Sequence, residues 1–172
     1  FFLVNLDGDV MYSVYKEVDY GTNFLTGPYK DSNLAMAVRE AKNSGEKRYV
    51  SLADTAPYKP SYNQPAAAIA APIYDGDEKI GILLFQMPIG KINEIMTNRQ
   101  QWEAVGLGKS GETYLVGPDA KMRSESRFLA AETDEKIRNM NITIFLKEVK
   151  TAAVEDALKG NPNAKITTDY RG

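Results

Sequence analysis

A chain of 172 residues, 43% hydrophobic and 26% charged, has enough apolar material to bury a core and an ordinary globular composition, which excludes disordered and fibrous architectures. Its formal net charge of -2, with acids and bases interspersed, sets up no long-range field for a polyanion, so no nucleic-acid partner is expected. With no cysteine and no histidine, it is without thiolate nucleophiles, Cys/His zinc sites and imidazole bases.

The first element in chain order is a hairpin: Phe2-Leu3-Val4, a turn at Leu6-Asp7-Gly8-Asp9, and the alternating run Val10-Met11-Tyr12-Ser13-Val14-Tyr15. After a Gly- and Pro-punctuated loop, Leu34, Ala37, Val38 and Ala41 recur at helical spacing, with Asp31 or Ser32 as N-cap and Gly45 as stop. Three strands follow over residues 48–53, 66–74 and 79–88, the last two joined across Asp75-Gly76. Beyond them Ile92, Ile95, Met96, Arg99, Trp102 and Val105 keep a helical period up to Gly106 and Gly108, which reads as a helix joining two units.

The remainder echoes the beginning. Phe2, Leu3, Val4, Asp7 and Val10 correspond at one constant offset to Tyr114, Leu115, Val116, Asp119 and Met122. The same offset carries the first helix onto residues 144–155, where Leu146, Val149, Ala153 and Ala157 keep helical spacing up to Gly160, and the third strand onto residues 165–170. A tandem repeat whose second copy lacks the final hairpin is therefore expected, with a sheet edge that is exposed or borrows a partner. The longest apolar runs, residues 66–73 and 80–85, fall well short of the roughly 18 residues of a membrane span. Because the chain starts in a strand-like run at Phe1 rather than at Met, it reads as a piece of a longer protein whose signal or anchor lies outside it.

Several runs resemble the Cache sensor family. They are residues 10–17 followed by Asp19-Tyr20-Gly21-Thr22-Asn23, then Pro57-Tyr58 to Tyr62, residues 66–72, and Gln86-Met87-Pro88-Ile89. The stretch Gly106-Leu107-Gly108-Lys109-Ser110-Gly111-Glu112-Thr113-Tyr114-Leu115-Val116-Gly117-Pro118-Asp119, followed by Met122-Arg123-Ser124, carries it further. The pattern covers residues 1–128 and is similar to the extracytoplasmic double-Cache sensors of bacterial methyl-accepting chemotaxis proteins. Similar modules precede histidine kinases and nucleotide cyclases. The resemblance implies an α+β fold: a PAS-like antiparallel sheet flanked by helices, a linker helix, and a second, incomplete PAS-like unit. The first unit with its linker is expected over residues 1–105 and the partial second over 106–172. The chain departs from the Arg- and Trp-containing signature of amine- and amino-acid-binding members, so no amino-acid ligand follows.

Seven of the ten tyrosines lie between Tyr12 and Tyr62, and residues 54–65 crowd aromatic and polar groups among Pro57, Pro60 and Pro65. Aromatic walls with a few fixed hydrogen-bonding groups suit a small polar organic ligand. The same residues would equally serve to cover the sheet, and the alanines of residues 66–71 leave space that a ligand or the helix would fill. The candidate ligand-binding set is Tyr12, Tyr20, Asp54, Tyr58, Ser61, Tyr62, Asn63 and Gln86. Gly108-Lys109-Ser110 has Glu103 where a phosphate loop needs its first glycine, and Asp7-Gly8-Asp9 and Asp75-Gly76-Asp77 lack further calcium ligands and read as turns. The expectation is a periplasmic, small-molecule-sensing part of an inner-membrane chemotaxis receptor, with no enzymatic activity, cofactor or metal, and with a homodimer as an admissible assembly. The alternatives are a sensor of a histidine kinase or cyclase and a protein-interaction module with a closed pocket.

Overall fold

The strands β1 (Phe2–Val4) and β2 (Val10–Ser13) form the expected hairpin. Gly8 sits in its turn at φ 95°, where a Cβ would collide with Leu25. Asp9 accepts from Asn23 Nδ2 at 2.8 Å and from Asn5 Nδ2 at 3.0 Å, and these amides hold its carboxyl below the usual pKa. Helix α1 (Asn33–Asn43) is capped by Ser32, whose hydroxyl accepts from the Ala35 N–H at 3.1 Å. Strands β3 (Ser51–Tyr58), β4 (Gln64–Asp75) and β5 (Glu78–Pro88) follow, and helix α2 (Ile89–Met96) begins directly after them. The computed structural model describes residues 1–172, which divide into two units, Phe1–Ile89 and Gly90–Gly172.

In the first unit the five strands make one antiparallel sheet in the order β2-β1-β5-β4-β3. Side chains alternate across it, so Phe2 and Val4, Ile82 and Leu84, and Ala66, Ala68 and Ala70 share a buried face with Leu34, Val38 and Phe24. The alanines of β4 on this face are 0–1% exposed, so the room they leave is filled by α1, the second of the two uses their size allowed. Where the β3–β4 register shifts between Ala53 and Ala56, Asn33 at the start of α1 donates from Nδ2 to the carbonyls of Asp54 and Ala66, at 2.9 and 2.7 Å. The other end of α1 is held by Lys79 of β5, whose ammonium donates to the carbonyls of Lys42 and Ser44 at 2.7 and 2.6 Å.

Some boundaries differ from the sequence reading. Residues 54–65 are not a free-standing loop: β3 runs on through Tyr58 and β4 begins at Gln64, around a tight turn over Lys59–Ser61. Pro57 is tolerated because β3 is an edge strand, and Pro65 lies beyond the last β4–β5 pair, Ala66 with Pro88. The helical period past Met96 also breaks, because Thr97 bonds back to the Asn93 carbonyl at 2.7 Å and caps a new turn over Asn98–Gln100.

In the second unit the repeated hairpin is present as a bridge between Val116 and Met122, and a second antiparallel bridge, Lys121 with Glu148, adds a third segment to it. Met122, Val149 and Val154 form a small core with Tyr114, Val116 and Tyr170. The helix read over residues 144–155 starts only at Ala152, as α4 (Ala152–Leu158) after the short α3 (Glu135–Met140), with Thr151 as its cap. Residues 165–170 form no strand, since no neighbouring ladder receives their backbone.

The Lys79 ammonium satisfies helix-end carbonyls that a neutral side chain would leave bare. Lys79→Met is expected to lower stability by about 2 kcal/mol, read as a lower urea midpoint at an unchanged slope.

Candidate functional site

The buried face of the sheet ends in a cleft of about 220 Å³ at the carboxyl end of β5, lined there by Gln86 and Pro88. Gln86 lies two residues beyond the buried Leu84, so the alternation that places Leu84 in the core points Gln86 into the cleft. Phe1 and Phe2 form the apolar floor, and the turn after β3 contributes Ser61. The end of β2 contributes Ser13, and the strap that follows it borders the cleft with Val14, Tyr15, Glu17 and Asp19.

The strap is held in place by its own contacts. The Lys16 N–H donates to Ser13 Oγ at 3.1 Å and its ammonium to the Ser13 carbonyl at 2.9 Å. That ammonium lies 3.9 Å from the ring centroid of Tyr12 and 4.4 Å from that of Tyr20, within range of cation–π attraction. Past it, the Asp19 carbonyl accepts from the Thr22 hydroxyl at 2.7 Å and from the Thr22 N–H at 3.1 Å.

Two hydrogen-bonded polar sets lie at the cleft. The Tyr58 hydroxyl, from the end of β3, donates to Asp19 Oδ2 at 2.6 Å; both residues are 0% exposed, and Asp19 Oδ1 has no partner. The Ser61 hydroxyl donates to Glu17 Oε2 at 2.9 Å, and Gln86 Nε2 donates to Ser61 Oγ at 3.2 Å. Burial pushes the Asp19 carboxyl above its ordinary pKa, and Glu17 adds to the rise; the Tyr58 bond opposes it without cancelling it. Tyr58 is itself driven upward by burial and by the acceptor it serves, so it stays a neutral donor.

Of the residues singled out in the sequence, Ser61 and Gln86 line the cleft and Tyr58 supports it through Asp19. Tyr12 and Tyr20 are engaged with Lys16. Tyr62, at φ 55°, is 89% exposed, and Asn63 beside it is exposed at φ 59°. Asp54 is exposed on the edge strand and accepts from the Thr55 N–H at 2.7 Å. Glu17 and Asp19 were not among the candidates. Both fall in the run that carries the family resemblance, where an acid followed by Tyr20 and Gly21 reads as an ordinary turn.

Between the ordinary carboxylate range and the raised pKa of Asp19, the folded chain holds the proton that the unfolded chain has lost, so stability falls as pH rises through this window. Asp19→Asn removes the buried charge. It is expected to raise the Tm of the ligand-free chain at neutral pH by a few degrees and to flatten this dependence, followed by thermal melts from about pH 4 to 8.

No protein-family model and no curated protein sequence matches the chain. Among solved structures, the ligand-binding domain of the Pseudomonas fluorescens chemoreceptor CtaA in complex with L-serine aligns at TM-score 0.50 and 13% identity, over 87% of this chain and 58% of that one. The same domain in complex with L-valine aligns at 0.48 and 15%, over 73% and 48%. The sensor domain of the V. cholerae histidine kinase DctB aligns at 0.38 and 20%, over 54% and 32%. The chain thus spans 58% of the length of the CtaA domain. In fold it is a PAS-like α+β chain of the kind found in chemoreceptor ligand-binding domains, in agreement with its resemblance to Cache sensors.

Proposed function

We propose that the first unit is the small-molecule-sensing module of a bacterial transmembrane chemotaxis receptor, and that the ligand occupies the cleft between the end of β5 and the strap. The observation that carries this reading is the cleft itself: an open space of about 220 Å³ on the core side of the sheet, where Asp19, Glu17, Ser61 and Gln86 converge. An interaction module with a closed pocket would have filled that space with side chains. At about 30 Å³ per water in the liquid, the volume corresponds to roughly seven waters, which suits a small organic molecule.

The action of such a module is mechanical. A ligand touching both the strap and the turn after β3 binds best when the two are close, and it shifts the population toward that arrangement by its difference in affinity. The strap leads back into edge strand β2, so its position is transmitted to the sheet. This reading places the chain on the extracytoplasmic side of an inner membrane, with the anchor elsewhere in the protein. No helix here is long and apolar enough to cross a membrane. The module binds rather than catalyses, and a homodimer is compatible with this role.

A thermal-shift screen of the chain against amines, amino acids, organic acids and sugars tests the proposal. A ligand present at about a hundred times its Kd adds about 2.7 kcal/mol to the folded state, a rise of roughly 5 to 11 °C for a chain of this length. The shift is expected to disappear in Gln86→Leu and to survive in Tyr62→Ala, whose side chain lies outside the cleft. Silence across the whole panel, or a shift indifferent to Gln86→Leu, would remove the cleft as the sensing site.

A further inference from the structure

Both faces of the first unit's sheet are apolar, and α1 covers one of them. Directly paired residues of antiparallel strands share a face, so Leu3, between the buried Phe2 and Val4, lies on the outer one. Its partners Tyr12 and Leu83, with Ala71 beyond Leu83, complete a row from β2 to β4. A second row runs from Phe85 through Ile69 to Leu52 on β3. Neither row contains a charged side chain, and Leu3, Tyr12, Leu52, Leu83 and Phe85 remain 39–67% exposed. We infer that this outer face is an interface between two copies of the chain, related by a two-fold axis. The cleft opens on the opposite, core side of the sheet and stays accessible in such a dimer, so the sensing reading does not depend on it.

Charge, area and shape together select a second copy as the occupant. Neutral rows do not repel an identical pair of rows, as a face of one sign of charge would. The five exposed side chains present on the order of 500 Å² of largely apolar surface, at the upper end of the patches that monomers expose. A two-fold contact counts that area twice, which reaches the roughly 1,000 Å² that a specific interface needs at least. Two such faces stack as sheets do in a sandwich, about 10 Å apart. Association through the sheet's edges is disfavoured instead, since β2 is 4 residues long and β3 carries Pro57. A lipid surface would call for lysine or arginine among the rows to meet its headgroups, and none stands there.

Sedimentation of the intact chain between about 1 and 100 μM, a span that brackets a micromolar Kd, is expected to show a monomer–dimer equilibrium. Leu83→Glu, on the central strand β5, is expected to weaken that equilibrium roughly tenfold or more, with the urea midpoint measured alongside to show that the fold is kept. Phe85→Lys gives a second variant should Leu83→Glu disturb folding. The chain contains no cysteine, so single cysteines report contacts cleanly. A short bismaleimide is expected to couple Leu83→Cys to its own copy and to leave Met36→Cys, exposed on α1 across the sheet, uncoupled. A chain that stays monomeric over this range overturns the inference, as does a dimer indifferent to both charged variants or one coupled through Met36→Cys. In the monomeric case, flotation with phosphatidylcholine vesicles would give the face to a lipid surface, and failure to float would give it to an unlike protein. None of these results bears on the cleft, which the thermal-shift screen reads separately.

Discussion

The hydrogen bond from Tyr58 to Asp19 joins two parts of the chain 39 residues apart, the end of edge strand β3 and the strap beyond edge strand β2. Those strands lie at opposite margins of the sheet, so the bond ties its two edges together across the core face. Its acceptor is a carboxylate that burial disfavours, and the raised pKa of Asp19 records that the desolvation outweighs the bond. A fold selected for stability alone would place a neutral group there. The unpaired Asp19 Oδ1, buried beside the cleft, is a cost that the packing of the core does not relieve.

Everything around that bond serves to hold it at the rim of the core. The alanines of β4 let α1 lie close on the sheet, and Asn33 and Lys79 fasten the helix at its two ends to the strands beneath. The helix covers the middle of the sheet but leaves its end at Gln86 and Pro88 open, and the strap, the turn after β3 and Phe1 enclose that remainder. The cleft is therefore the part of the core face that the helix does not reach.

The second unit is built differently. Where the first relies on a five-stranded ladder, this one relies on side chains that bond to backbone and to each other. Glu112 accepts from the Tyr170 hydroxyl at 2.5 Å and from the Arg127 N–H at 2.7 Å, and Glu125 accepts from the Thr143 hydroxyl at 2.8 Å and its N–H at 3.0 Å. Arg127 lies over the Trp102 ring at 4.6 Å and Tyr114 packs edge-on against Tyr170 at 5.4 Å. With five buried apolar side chains, Met122, Ile137, Ile144, Val149 and Val154, against the larger core of the first unit, such a unit gains specificity from polar geometry more than stability from apolar burial.

Local chemistry sufficed for much of this. Alternation and turn residues determined the first hairpin and the β4–β5 pair, helical spacing and a serine cap determined α1, and the repeat of Phe2-Leu3-Val4 at Tyr114-Leu115-Val116 anticipated the bridge between Val116 and Met122. Each depends on residues adjacent in sequence, where periodicity and capping act. The broken helix after Met96 and the continuation of β3 through Pro57 were not legible, because a threonine bonding back to its own helix and an edge position that tolerates proline are settled by neighbours in space. The same holds for the site. Tyr58, Ser61 and Gln86 could be singled out by residue type, but that Tyr12 and Tyr20 would be occupied by Lys16, and that Asp19 would be buried against Tyr58, required the strap to fold back over the sheet. Sequence determined which side chains could hydrogen-bond, and only the tertiary structure decided which of those bonds would be left unmade, because an unpaired buried oxygen is a property of the whole packed core and of no single segment.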